Sequence, residues 1–188
     1  MNLSRQIDWC VAARRGVAAI EFALVAPLIV LMMLVCTDLT IFMRTKMRID
    51  ETATEIALTV TQSQDLYDSD FTGFFNAAQT VANPTNVTTI ITGIVNTNGT
   101  QSISWQRPVL PGTFTSLFGT PGSIKPLPSD YVVPTGGTLI AVEVFTGASP
   151  WVLSASLMGG AGSTSLRAYA LYQPRLGSLS AVTAGNRP

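Results

Sequence analysis

The 188-residue chain carries 11 basic and 11 acidic residues and no histidine. Balanced charge argues against a nucleic-acid partner, and the missing imidazole removes the commonest general base and the commonest metal ligand. Charged residues make up only 12% of the chain, and the length leaves room for one modest domain beside any membrane segment.

The N-terminal third is organised around Arg14-Arg15-Gly16 and the apolar run that follows, from Val17 to Met43. As a helix that run would be about 40 Å long, enough to cross a hydrocarbon core of roughly 30 Å with some tilt. No residue from Phe22 to Thr37 is charged, and Asp38 then interrupts before Leu39 to Met43 resume. The apolar region of a cleavable secretory signal runs to about 7–15 residues. This run is longer, and no small-residue cleavage site follows it. Glu21 stands inside the run, where an intramembrane carboxylate costs roughly 2.5–3.5 kcal/mol, so its presence calls for a function. The plainer alternative is a single-pass anchor with Glu21 at the interface. Pro27 is tolerable in a membrane helix and is compatible with a kink. Arg5, Arg14 and Arg15 precede the run and Arg44, Lys46 and Arg48 follow it, so the flanking charge gives no orientation. Cys10 and Cys36 lie in different surroundings and do not read as a disulfide framework.

Two arginines and a glycine, four small or apolar residues, Glu21-Phe22 and a long apolar helix resemble the class III signal of the type IV pilin superfamily. More narrowly, GVAAIEFALVAPLIVL, from Gly16 to Leu31, is similar to the TadE-like minor pilins (pseudopilins) of the tight adherence, or Flp, pilus. The resemblance implies a prepilin peptidase that cuts between Gly16 and Val17 on the cytoplasmic side and removes residues 1–16 as a leader. Glu21 then becomes the fifth residue of the mature chain, followed by Phe22, at the position that sets subunit register. A new α-amino group and a carboxylate buried among packed helices can neutralise one another between neighbours, and such a pair enforces register more than it adds stability. The resemblance further implies other pilin subunits and a pilus assembly platform as partners. It places the chain in a bacterial inner membrane, with the C-terminal head in the periplasm or outside the cell in the pilus.

Beyond Met43 the helix is expected to continue into water. Phe42, Ile49, Ala53, Ile56 and Val60 keep to one helical face, while Lys46 with Asp50 and Arg48 with Glu51 can pair along another. Threonines 52, 54, 59 and 61 weaken the helix, so its persistence to Gln64 requires packing against a domain. Asp65, Asp68 and Asp70 crowd a turn. Calcium could in principle use them, but no loop glycine or terminal glutamate completes a motif, and Asp70 reads instead as the cap of a second helix. That helix carries Phe71, Phe74, Phe75, Ala78, Val81 and Ala82 on its apolar face and ends at Asn83-Pro84.

The remainder reads as strands. Val87 to Val95 and Gln101 to Arg107 flank Asn98-Gly99, a strong hairpin signal. Residues 108–137 are rich in proline and glycine and form a long excursion, either functional or packed over the sheet. Thr138 to Phe145 is the clearest strand; its Glu143 is expected to face solvent. Ser149-Pro150 opens a short helix to Gly159, Ser163 to Tyr172 is a last strand, and 176–188 is expected to be a flexible tail.

The chain is thus expected to be α+β: a leader (1–16), a transmembrane and stalk helix (17–64), a small mixed head with an antiparallel sheet (65–175) and the tail. Three functions compete. The resemblance favours a non-catalytic minor pilin of the tight adherence pilus, serving surface attachment, with no cofactor and no metal. A membrane-anchored binding or adhesin domain that does not polymerise is the alternative. An anchored hydrolase is the poorest, because no histidine, soluble thiol, G-x-S-x-G motif or carboxylate pair stands ready to activate a nucleophile.

Overall fold

A computed structural model of the chain describes residues 3–82, 87–109, 114–125, 127–128, 131–148 and 164–187. Its elements run in the order α1 (Leu3–Thr61), α2 (Asp68–Ala82), β1 (Thr88–Thr97), β2 (Thr100–Pro108), β3 (Thr138–Ala148) and β4 (Thr164–Tyr172). The short helix expected from 150 to 159 lies outside the described residues.

α1 passes through Pro27 without a break. Its threonines are accommodated within it: the hydroxyls of Thr37, Thr40, Thr45, Thr52, Thr54 and Thr59 each donate to the carbonyl four residues back, and packing of Ile49, Ala53, Ile56 and Val60 against the head holds the helix they weaken. The helix stops at Thr61 rather than Gln64. There the last turn tightens, with Gln62 N–H shared between the Leu58 and Thr59 carbonyls, and Arg175 N–H takes the Thr61 carbonyl at 3.0 Å. Of the expected stripe, Ile49, Ala53, Ile56 and Val60 are buried, but Phe42 is 40% exposed.

Four antiparallel strands form one sheet in the order β2-β1-β3-β4. The β1–β2 hairpin turns through Asn98 (φ 54°) and Gly99 (φ 86°), the positive pair that a two-residue type I′ turn needs. Along β3 the period-two alternation separates two cores. Ile140, Val142 and Val144 join Leu166, Ala168 and Ala170 of β4 beneath α1 and α2. Leu139 and Ala141 join Ile94, Ile103 and Leu171 beneath Phe118 and Val133 of the 109–137 excursion. The excursion is therefore the third layer of the head.

Two expectations need correction. Asp70 does not cap α2, which begins two residues earlier at Asp68; its carboxylate instead accepts Tyr67 N–H at 3.1 Å, the backward half of a capping box. Nor is the expected tail free over its described part, 176–187. Thr183 exchanges backbone hydrogen bonds with Leu66 and Asp68, Leu179 is buried, and Arg187 makes an ion pair with Asp70 at 2.8 Å. Unsatisfied backbone groups at the α1–α2 corner recruit this segment, a long-range pairing that local composition cannot reveal.

Trp105 ties these parts together. Its ring meets Phe71 of α2 edge-on with centroids 5.6 Å apart, and its indole N–H donates to the Leu179 carbonyl at 2.9 Å. The ring lies directly over Gly93 of β1, where a Cβ would collide with it. Gly93→Ala is therefore expected to lower head stability by about 1–3 kcal/mol and to shift Trp105 fluorescence, as read in thermal unfolding of the full chain in detergent.

Candidate functional site

Below the head, α1 carries a surface that nothing in the described chain covers. Val17, Ile20, Phe22, Leu24, Leu28 and Met33 are all more than half exposed. Among the described residues one helix is long and apolar enough to cross a membrane: Ala19–Thr61 contains an 18-residue window of mean hydropathy 2.6, none of it buried by the described chain. Each large apolar side chain left in water forgoes about 1.5–3 kcal/mol, so this half of α1 belongs in lipid or among other helices.

The four residues singled out in the sequence fall within two turns of this element. Gly16 and Val17 lie in continuous helix. Val17 and Glu21, four apart, share a face, and both are exposed; Phe22, also exposed, points about 100° further round.

Asp38 is different. It is 4% exposed among exposed neighbours, on the face that continues to Ile49 and Ile56. Glu21 and Asp38 are about 25 Å apart along the axis, and the uncharged stretch between them approaches the thickness of a hydrocarbon core. The interruption at Asp38 was visible in the sequence; its burial was not.

In the head, the candidate carboxylates are engaged in structural contacts. Asp68 accepts the Arg107 guanidinium at 2.9 Å, and the hydrogen bond from Arg187 holds the Asp70 carboxyl below the usual range. Arg187 also stacks over Tyr67, 5.4 Å from the ring centre. Among the described residues no cluster of three or more Cys, Asp or Glu is arranged to hold a metal ion.

Glu143 does not face solvent. β3 is an inner strand with both faces covered, and Glu143 is fully buried on the excursion side. Leu117 N–H donates to one carboxylate oxygen at 2.9 Å and the Ser116 hydroxyl donates to the other. The Ser116 oxygen in turn accepts Phe118 N–H at 3.1 Å. Burial pushes the Glu143 carboxyl above its ordinary range, against the two hydrogen bonds and the charges of Arg167 and Lys125. Ser116 is buried and bonded on both sides, so the pair fastens the excursion to the sheet. The signal that could have revealed this is a lone acid in an otherwise apolar inner strand.

A carboxyl whose folded pKa is raised supports the fold most when protonated, and that support is lost as pH rises through the folded value. Through this group the chain is expected to lose stability as pH rises above the ordinary glutamate range, while Glu143→Gln shows a flatter profile there in thermal unfolding at a series of pH values. An unchanged slope in the variant would contradict this account of the site.

Residues 16–58 match the family described as TadE-like protein. No curated protein and no solved structure matches the chain. The matched segment opens on Gly16, contains Val17, Glu21 and Phe22, and ends within the buried part of α1, so it covers the exposed helix and none of the sheet. From Gly16 to Leu58 the chain is similar to that family.

Proposed function

We propose that the chain is a minor pilin, or pseudopilin, of the tight adherence pilus. In this reading it is a non-catalytic structural subunit made as a single-pass membrane precursor and trimmed between Gly16 and Val17 by a prepilin peptidase. One observation carries the reading: within the TadE-like match, Glu21 is exposed on an otherwise apolar helix, on the face of Val17 and one turn from it. Cleavage would turn Val17 into a free α-amino group, and a neighbouring subunit could then bring its own amino group against Glu21. The pair would be buried by helix packing, and a buried pair tolerates mispairing poorly, because a lone charge left in apolar surroundings costs about 3–5 kcal/mol.

The division of α1 supports the same reading. Its C-terminal part is bound into the head through Ile49, Ala53, Ile56 and Val60, while its N-terminal part is left bare for lipid or for other subunits. The head would lie on the periplasmic side, opposite the leader.

Two variants test this. Glu21→Ala is expected to be trimmed normally yet to be largely missing from sheared pilus fractions. Gly16→Leu is expected to keep its leader in the membrane. Full incorporation of the Glu21→Ala subunit would remove the register role, and normal trimming of Gly16→Leu would move the cleavage point. A subunit that is never trimmed and never enters filaments would favour the membrane-anchored adhesin instead.

A further inference from the structure

The corner between α1 and α2 encloses a recess. Two stretches of chain are fastened to one another there at both ends: Arg175 N–H donates to the Thr61 carbonyl at 3.0 Å, and Thr183 N–H donates to the Leu66 carbonyl at 2.8 Å. Between these fastenings one stretch has four residues, 62–65, and the other has seven, 176–182. The longer stretch must arch away from the shorter, and the gap between them is a recess of about 390 Å³. That volume falls in the range of small-molecule sites, about 300–1,000 Å³. The recess lies at the end of α1 farthest from the apolar run, where Thr61 stands about 27 Å along the axis from Met43.

The arch is held in one shape. Leu179 adopts φ 41°, a left-handed conformation rare for so bulky a residue. It is kept there because its side chain is buried and its carbonyl accepts the Trp105 indole N–H at 2.9 Å. Gly177 passes so close to the corner that a Cβ would stand 2.9 Å from the Gln64 carbonyl oxygen. Backbone outliers collect at ligand sites, and a wall pinned in advance binds with a smaller ordering cost. On either side of Leu179 the Ser178 and Ser180 hydroxyls stand exposed, 3.2 Å apart.

The lining selects a chemistry. Ser178 and Ser180 come from the arch, Gln64 and Asp65 from the corner, and the buried Leu66 and Leu179 supply the apolar part. Hydroxyls and an amide both donate and accept, and a carboxylate accepts hydroxyl hydrogens; the leucines suit a face of C–H bonds. Among the described residues that line the recess the one charge is that of Asp65, which repels anions, and one carboxylate is too few to hold a metal ion. A neutral ligand with several hydroxyls and an apolar face meets all of these groups.

We propose that this recess binds a single neutral hexose ring, with the sugar hydroxyls on Ser178, Ser180 and Asp65. The inference goes beyond the pilin reading and stands without it, because every group it uses belongs to the head.

Saturation-transfer NMR on the full chain, held in a detergent without sugar head groups, tests the site with glucose, galactose, mannose and their methyl glycosides as probes. Saturation is expected to reach at least one of them. Transfer to a methyl glycoside supports the site with a glycan chain end as its ligand, and transfer to free sugars alone supports it with a soluble sugar. Ser178→Ala combined with Ser180→Ala is expected to weaken binding about tenfold, and Asp65→Asn to weaken it as well, with the unfolding temperature unchanged in both. Glucuronate, the charged counterpart of glucose, is expected not to bind. No transfer to any probe would overturn the proposal, as would full affinity in the serine double variant or equal binding of glucuronate. Intact mass of chain prepared from cells that make the pilus machinery reads the leader separately. A chain that binds sugar while retaining residues 1–16 would sink the pilin reading and leave this site standing.

Discussion

One constraint shapes this molecule: a single helix has to serve two solvents. Over its C-terminal part α1 has an ordinary amphipathic pattern, and the sheet and α2 bury its apolar stripe. Over its N-terminal part the apolar residues go all the way round, and the described chain offers them no cover. Helices of the second kind are stable only in a bilayer or a bundle. Because both parts belong to one unbroken element, the head is rigidly joined to whatever surrounds the bare half, and a displacement of one must move the other.

The head is built to hold that helix. Ile49, Ala53, Ile56 and Val60 sit over β3 and β4, and the corner at Thr61 is closed by the returning C-terminal segment through Arg175, Thr183 and Arg187. Trp105 then joins this segment to α2 and to Gly93 of β1. The opposite face of the sheet is closed differently. An irregular excursion covers it, fastened by a buried carboxylate to Ser116 and the Leu117 backbone. A fold this short has a limited core, and recruiting both the tail and the excursion enlarges it.

Local pattern made the helices, the hairpin and the late strands legible. Asn98-Gly99 dictated its turn, the 3–4 spacing from Ile49 to Val60 dictated the buried stripe, and the apolar run from Thr138 to Phe145 marked a strand without showing that it is an inner one. Long-range contacts were not legible. The tail looked polar and expendable because its bonds go to backbone groups at the α1–α2 corner, whose need arises only once two helices meet. Glu143 was assigned to solvent because nothing in its own strand shows that Ser116 lies above it. At the candidate site, Gly16, Val17, Glu21 and Phe22 were readable because their meaning lies in spacing along one helix, while the burial of Asp38 depends on the fold around it.

On the proposed pilin reading, the bare half of α1 begins at a severed bond, which exposes an amino group one turn from Glu21. The most direct measurement is the intact mass of the protein extracted from membranes of cells that make the pilus machinery. The expected result is a chain lacking residues 1–16 with Val17 at its N-terminus. A mature protein that retains Arg14-Arg15-Gly16 would contradict the account and leave a tethered head on an ordinary anchor.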